Sequence, residues 1–137
     1  MQTQSEILAP FVDETTAALT TYRKDGRAVV TPVHVAVDCD RLVFKTWHTT
    51  GKLKRIRNNS LVEVVPSTFR GRPTGRPIRA RARILDGSDA RRAASRLGAK
   101  YPILHSWLIP FGHRLMGVRT IHLELRPVEV ASGAEAA

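Results

Sequence analysis

A run of cations next to two threonines is the part of this sequence best suited to binding or chemistry. Four cations fall within six consecutive positions: Lys52, Lys54, Arg55 and Arg57. Thr50 and Gly51 come directly before them. A hydroxyl, the unpaired N–H groups of a helix start and a lysine together favour a negative group, because the helix dipole is positive there. The pattern predicts a phosphate cradle, and a solvated basic helix face is the alternative.

The known sequence signatures of nucleotide and hydrolase sites are missing from the chain. A P-loop needs glycine five residues before Gly51 and Ser or Thr after Lys52, but these positions hold Thr46 and Leu53. There is no GxSxG elbow, no cysteine–histidine pair and no close carboxylate pair. Acyl transfer and glycoside hydrolysis are therefore not indicated.

The formal net charge of +10 comes from one part of the chain. Residues 45–83 contain 11 Lys or Arg and one acid, Glu63, whereas the remainder balances 11 cations against 11 acids. A local excess of this kind indicates an anionic partner. Nucleic acid is one alternative, since Trp47 or Phe69 could stack on bases, but these aromatics are too few to form a stacking platform. Arginines that alternate with alanines, as Arg79 and Arg81 do, also suit an interface or an anionic small molecule.

The histidines and the single cysteine do not predict a metal site. The five histidines lack the i, i+2 or i, i+4 spacing of metal ligands. His34 and His48 could line one cleft, and His34 is the weak candidate for a catalytic residue. Cys39 lies in an acidic turn, which is typical of a solvent-side thiol in a reducing cytoplasm. We find no signal peptide and no membrane-spanning run, so we expect a soluble, cytoplasmic protein without membrane partners.

Alternating apolar residues predict a mainly β fold. Three antiparallel strands form a meander at residues 17–47, with Asp25-Gly26 as a hairpin turn. Pro32 cannot donate to a ladder, so the second strand should carry a bulge or a free edge. A short helix follows at residues 51–59, and its spacing predicts that Leu53 and Ile56 face inward. Two strands come next, then a helix for which Asp86 and Ser88 are candidate caps, an aromatic helical segment and a last strand. We therefore expect a six-stranded antiparallel barrel with peripheral helices, in one domain of residues 1–130, followed by a disordered tail at 131–137. The apolar segment around Trp107 and Phe111 favours a homodimer.

Four segments, taken in order, resemble one known family. They are KDGRAVVTPVHVAVDCDRLVFKTW, TTGKLKRIRNN, RGRPTG and RARARILDG. Together they resemble the split-barrel flavin and deazaflavin oxidoreductases, in particular the pyridoxamine-5′-phosphate-oxidase-class branch that depends on coenzyme F-420. The resemblance covers residues 11–130. It implies a six-stranded split β-barrel, an obligate homodimer and two cofactor sites at the dimer interface.

The resemblance also implies which residues bind the cofactor. The backbone of Thr31, Pro32 and Val33 falls where the second strand lies along the cofactor ring. Lys45 and Thr46 fall where the third strand approaches the ring and its ribityl chain. The residues that match the phosphate site are Thr50, Gly51, Lys52 and Arg55. The chain departs from the family pattern at His34, where a bulky aromatic is expected, and at residues 47–49, so the substrate pocket differs.

The charge excess favours coenzyme F-420 over FMN within this family. The deazaflavin carries a phosphodiester and an oligo-γ-glutamate tail, which needs more cations than a single phosphate does. The candidate tail contacts are Arg57, Arg70 and Arg79. The implied activity is hydride transfer between the cofactor C5 and a small electrophilic substrate. An FMN-binding relative and a cofactor-free domain that binds nucleic acid remain the alternatives.

Overall fold

A computed structural model describes residues 4–68, 70–101 and 119–128 of the chain. A short helix α1 (Gln4–Leu8) and a 3-10 turn (Ala9–Phe11) come first. The strands are β1 (Thr16–Tyr22), β2 (Ala28–Val33), β3 (Ala36–Asp38), β4 (Arg41–Trp47), β5 (Leu61–Ser67), β6 (Ile78–Ile84) and β7 (Thr120–Pro127). Helix α2 (Gly51–Asn58) follows β4, and α3 (Gly87–Lys100) follows β6. The fold is mainly β, as the alternating pattern predicted.

The strands form one curled antiparallel sheet in the order β2-β1-β5-β6-β7-β4-β3. β2 and β3 follow each other in the chain but lie at opposite edges of the sheet, so the segment between them joins the two edges. The described residues form seven strands rather than the predicted six, because the predicted second strand is divided into β2 and β3, although its two neighbours are those of the predicted meander. The segment expected to be one second strand pairs first with β1 and then, after residues 34 and 35, with β4.

Pro32 lies on β2, a strand at the edge of the sheet. It lies opposite Ala18 of β1, and among the described strands β2 has no second neighbour. A proline has no N–H to offer a second neighbour, so a position with one partner strand suits it. The predicted free edge at Pro32 is confirmed.

Side-chain alternation builds the core inside the curled sheet. The neighbouring strands β4 and β7 place four fully buried side chains on the same face of the sheet: Leu42, Phe44, Leu123 and Leu125. Helix α2 adds Leu53 and Ile56 to the same cluster, as its apolar spacing predicted. A second cluster lies on the outer face, where α3 packs on β3 and β4: Ala36, Val43, Leu85, Ala93 and Leu97. The sheet is thus covered on its inner face and on part of its outer face.

A buried ion network ties the β3–β4 turn to β7. Arg41, which is 5% exposed, donates to Asp38 at 2.9 Å and to Glu124 at 2.8 Å. Arg83 and Arg126 also donate to Glu124, at 3.0 Å and 3.1 Å. Burial alone would raise the pKa of Glu124, but the hydrogen bonds from these three arginines outweigh it and lower the pKa to about 2. A buried charge is tolerated when it is paired in this way.

The end of α3 fixes the segment that joins the two sheet edges. The ammonium of Lys100 donates to three backbone carbonyls, those of Phe11 at 3.1 Å, Glu14 at 2.7 Å and Val35 at 2.8 Å. The hydroxyl of Tyr101 lies 2.8 Å from the carbonyls of Thr15 and Val35. An ammonium has three donors, so all of its donors have acceptors here.

The turns agree with the local sequence signals. Gly26 in the β1–β2 turn has a φ of +90°, as the Asp-Gly pair predicted. Asp86 precedes α3 in extended conformation, as expected for a cap, but its side chain makes no capping hydrogen bond. The predicted aromatic helix, its proposed role in dimer formation and the tail at 131–137 lie outside the described residues. None of the described helices is long and apolar enough to cross a membrane.

Candidate functional site

The end of β4 and the start of α2 bring three predicted site residues together. Thr46 Oγ1 and Thr50 Oγ1 are 3.0 Å apart, and Lys52 Nζ lies 3.5 Å from Thr46 Oγ1. Thr50 is the residue before α2, with extended backbone, and its own side chain makes no capping hydrogen bond to the helix. Two hydroxyls and an ammonium therefore meet beside the helix N-terminus. We call Thr46, Thr50, Gly51, Lys52 and Arg55 the helix-start cluster.

Arg55 joins this cluster from the next turn of α2. Its Nε donates to Thr21 Oγ1 of β1 at 2.6 Å, and Thr21 is fully buried. The guanidinium also lies over Gly51, because a Cβ built at position 51 would be 2.9 Å from Arg55 Nη1. Glycine thus leaves room for the guanidinium at the helix start, where Arg55 keeps the four N–H donors of Nη1 and Nη2.

The helix-start cluster has donors and positive charge but no carboxylate. Burial lowers the pKa of Lys52, and the nearby charge of Arg55 lowers that pKa further. Among the described residues, the ion pairs involve other arginines and leave Lys52 and Arg55 without an acidic partner. An anion placed here would relieve the repulsion between the two cations and accept their hydrogen bonds.

The predicted ring-contacting residues lie on the edge strand β2. Val33 is buried, Pro32 is exposed and Thr31 is half-buried. Thr31 Oγ1 is a buried atom without a hydrogen-bond partner. Leu19, which pairs with Thr31, and Thr21, which holds Arg55, point to the same side of β1. The β1–β2 hairpin therefore links this strand to the helix-start cluster through Thr21.

Lys45 lies on the other face of β4 from Thr46. It stands opposite His122 of β7 in the strand register. Burial lowers the pKa of Lys45, and burial together with the charge of Lys45 lowers the pKa of His122. The Nε2 atom of His122 is buried without a hydrogen-bond partner. The structure thus separates Lys45 from the helix-start cluster and pairs it with a histidine that the sequence analysis gave no role.

The two histidines that could have shared a cleft bind different segments. His34 Nδ1 is 2.9 Å from the carbonyl oxygen of Thr15, so this nitrogen carries the proton in the neutral ring. The ring also contacts Tyr101, with 5.4 Å between centroids. His48 Nδ1 accepts the backbone N–H of Arg119 at 2.9 Å and extends the β4–β7 ladder. His48 is therefore a hydrogen-bonded structural residue.

The three candidate tail-binding arginines are all exposed but lie on separate elements. Arg57 is on α2, Arg70 is in the β5–β6 loop, and Arg79 is on β6 opposite Glu63. Of the 11 cations in residues 45–83, only Arg83 forms an ion pair with a described carboxylate. Surface depressions occur along the outer faces of β6 and β7 and in the β5–β6 loop, and the helix-start cluster lines none of those found.

Solved structures share this fold across nearly the whole chain. The haem storage protein HutZ from Vibrio cholerae superposes with a TM-score of 0.70 at 14% identity, over 95% of this chain and 93% of that one. A FAD-binding protein from Mesorhizobium loti gives a TM-score of 0.68 at 15% identity, over 93% and 90%. An F-420 reductase gives 0.57 at 18% identity, over 89% and 93%. At these identities the likeness concerns the fold alone.

Sequence comparison gives the family itself. A search of curated proteins finds no match. The family model for pyridoxamine 5′-phosphate oxidase matches residues 3–130, which is nearly the whole chain and includes the helix-start cluster, β2 and the Lys45–His122 pair. The curled antiparallel sheet and the positively charged helix start agree with that match. The chain therefore belongs to the pyridoxamine 5′-phosphate oxidase family.

Proposed function

We propose that this protein is an oxidoreductase that uses the deazaflavin coenzyme F-420 and transfers a hydride between the cofactor C5 and a small electrophilic substrate. The observation that carries the proposal is the helix-start cluster, where Lys52 and Arg55 meet two hydroxyls without an acidic partner. Such a cluster suits a phosphodiester, which presents several acceptor oxygens and a negative charge.

The residues present fit such a cofactor at two places. Thr50, Lys52 and Arg55 would hold the phosphate, and Thr46 would position the ammonium of Lys52 through their contact at 3.5 Å. Thr31 Oγ1 is a buried polar atom that lacks a partner, so a ligand along β2 would satisfy it. The open side of β2 leaves backbone groups around Pro32 free for the cofactor ring.

The uncompensated charge favours the deazaflavin over FMN. FMN brings a single phosphate, for which the helix-start cluster alone is sufficient. Ten cations of residues 45–83 have no described acidic partner, and these include Arg57, Arg70 and Arg79. An oligoglutamate tail offers one carboxylate per residue, so exposed arginines outside the cluster would each find a counter-charge.

The protein's part in the reaction is to bind, orient and supply protons. The bound deazaflavin supplies hydride chemistry at C5. The rigid β2 edge, fixed by Lys100 and Tyr101 through Val35, would hold the ring in one orientation. His34 can give a proton from Nε2 only as the imidazolium, because its Nδ1 proton is held by Thr15. Water is the alternative proton source.

We propose that the working unit is a homodimer in the cytoplasm. The cavities found in one chain are lined by residues outside the helix-start cluster, and a second chain beside the cluster would provide further walls around a ring-sized ligand. The resemblance stated above implies the same arrangement. Sedimentation of the purified protein, with and without cofactor, tests this directly. A stable monomer that binds the cofactor with full affinity would contradict it.

A ligand-capture experiment tests the cofactor. Purified protein is incubated separately with coenzyme F-420, FMN and haemin, then desalted, and the absorbance spectrum shows which chromophore is retained. Haemin is included because one structural neighbour is a haem storage protein. We expect coenzyme F-420 to be retained by the wild type and lost from a Lys52→Met, Arg55→Met double variant. Retention of FMN or haemin alone would overturn the cofactor assignment.

The nucleic-acid alternative is tested in parallel with DNA and RNA oligonucleotides. A domain that binds phosphate backbones shows a steep loss of affinity with salt for single strands or duplexes. We expect only weak, non-specific binding. Tight nucleic-acid binding without retention of any chromophore would replace the proposed activity.

A further inference from the structure

The outer face of the sheet carries a second pair of neighbouring basic side chains. Lys45 of β4 and His122 of β7 are register partners, so their side chains lie side by side on this face. The helix-start cluster lies at the other face of β4, because Thr46 and Lys45 are consecutive in the strand and point in opposite directions. The Lys45–His122 pair is therefore distinct from the phosphate position.

Neither side chain of this pair has a counter-charge. His122 Nε2 is buried without a hydrogen-bond partner. Among the described residues, no carboxylate forms an ion pair with Lys45. The next acid on this face of β7 is Glu124, which accepts hydrogen bonds from three arginines: Arg41, Arg83 and Arg126. The carboxylate of Glu124 thus binds these arginines and does not form an ion pair with Lys45.

The chemistry of the pair selects an anionic oxygen. A buried polar atom without a partner is unfavourable and is usually paired in folded proteins. Burial disfavours the charged forms and lowers the pKa of Lys45 and of His122, and the charge of Lys45 lowers the pKa of His122 further. An anion held between the two side chains would offset this cost. A neutral imidazole can hold its proton on Nε2, and it then donates to the same acceptor as the ammonium.

We propose that Lys45 and His122 form a binding site for a small oxyanion, either a carboxylate or a phenolate oxygen. Two sources could supply this oxygen: the hydroxyl-bearing ring of the deazaflavin, or the carboxylate of a separate substrate molecule. The assignment of the oxygen to the deazaflavin ring rests on the function proposed above. The oxyanion site itself depends only on the pair.

Nuclear magnetic resonance of the histidine rings tests the site on the wild-type protein. The signals of His122 are assigned as those lost in His122→Gln, and the protein is titrated with acetate and, separately, with the phosphate-free 8-hydroxy-5-deazaflavin riboside. We expect saturable shifts of the His122 ring nitrogens with at least one probe. Lys45→Met should weaken that binding by about ten- to a hundredfold, the usual effect of losing a charge-assisted contact. Lys24→Met removes an exposed cation in the β1–β2 turn and should leave the affinity unchanged.

The outcomes separate this site from the proposed function. A response to acetate in a protein that does not bind coenzyme F-420 supports the oxyanion site and argues against the deazaflavin. Binding of intact coenzyme F-420 without any change at His122, and no response to either probe, overturns the oxyanion site and leaves the phosphate position intact. Equal affinities in wild type and in a folded Lys45→Met or Lys45→Gln variant also overturn it.

Discussion

Replacement of Lys52 by methionine is the sharpest test of the helix-start cluster. The ammonium of Lys52 is half-buried, and its contact to Thr46 at 3.5 Å is long. A charge-assisted contact to a phosphate oxygen would be shorter and worth about 1.5 to 3 kcal/mol. Its loss should raise the Kd for coenzyme F-420 by about ten- to a hundredfold. Lys54→Met is the matched control, because Lys54 lies on the same helix, carries the same charge and is exposed.

The two variants should differ in affinity and in salt response, and Lys52→Met should not lower stability. Loss of an exposed cation such as Lys54 should weaken the free energy of cofactor binding by about 0.2 to 1 kcal/mol, and this effect should become smaller as salt rises. Lys52→Met should not lower the melting temperature of the unliganded protein, because burial and Arg55 already disfavour the charge of Lys52 and lower its pKa. Isothermal titration at low and moderate salt, with thermal unfolding alongside, measures all three. Equal weakening by both variants would refute a specific phosphate contact at Lys52.

Three further predictions concern charge and assembly. Affinity for coenzyme F-420 should increase gradually with tail length and decrease with salt, and Arg79→Ala should reduce the gain from each added glutamate. This is checked by titration of one headgroup with tails of increasing length, and equal affinity for tailless and long-tailed forms at low salt would contradict it. Glu124→Gln should lower the free energy of unfolding at neutral pH by about 3 kcal/mol, since the pKa of Glu124 falls from its ordinary 4.5 to about 2 on folding. That contribution is fully present above about pH 4.5 and is lost as pH falls toward 2, so urea unfolding of the two proteins should converge at low pH. The homodimer should sediment as one species at micromolar concentration, and dilution should weaken cofactor binding as the dimer dissociates.

The sequence by itself determined the local elements and most of the helix-start cluster. The Asp25-Gly26 turn, the buried Leu53 and Ile56 of α2, and the alternation of arginines and alanines between the two faces of β6 are all confirmed. Each of these features depends on residues close together in the chain, such as apolar residues that recur every 3.6 positions in a helix or side chains that alternate between faces in a strand. Thr50 and Lys52 are close in the chain, so a helix start was sufficient to bring them together. Whether they hold a cofactor stays a prediction.

Only the tertiary structure decided the partners that are distant in the chain. An alternating strand pattern is the same whichever neighbour the strand pairs with, so the break of the second segment into β2 and β3 could not be read from it. The contact between Arg55 and Thr21 depends on α2 lying across β1, and the pairing of Lys45 with His122 depends on the register of β4 against β7. The packing of the whole curled sheet sets that register. The physical reason is that burial periodicity selects the face of a residue, whereas its cross-strand neighbour is selected by the packing of every strand at once.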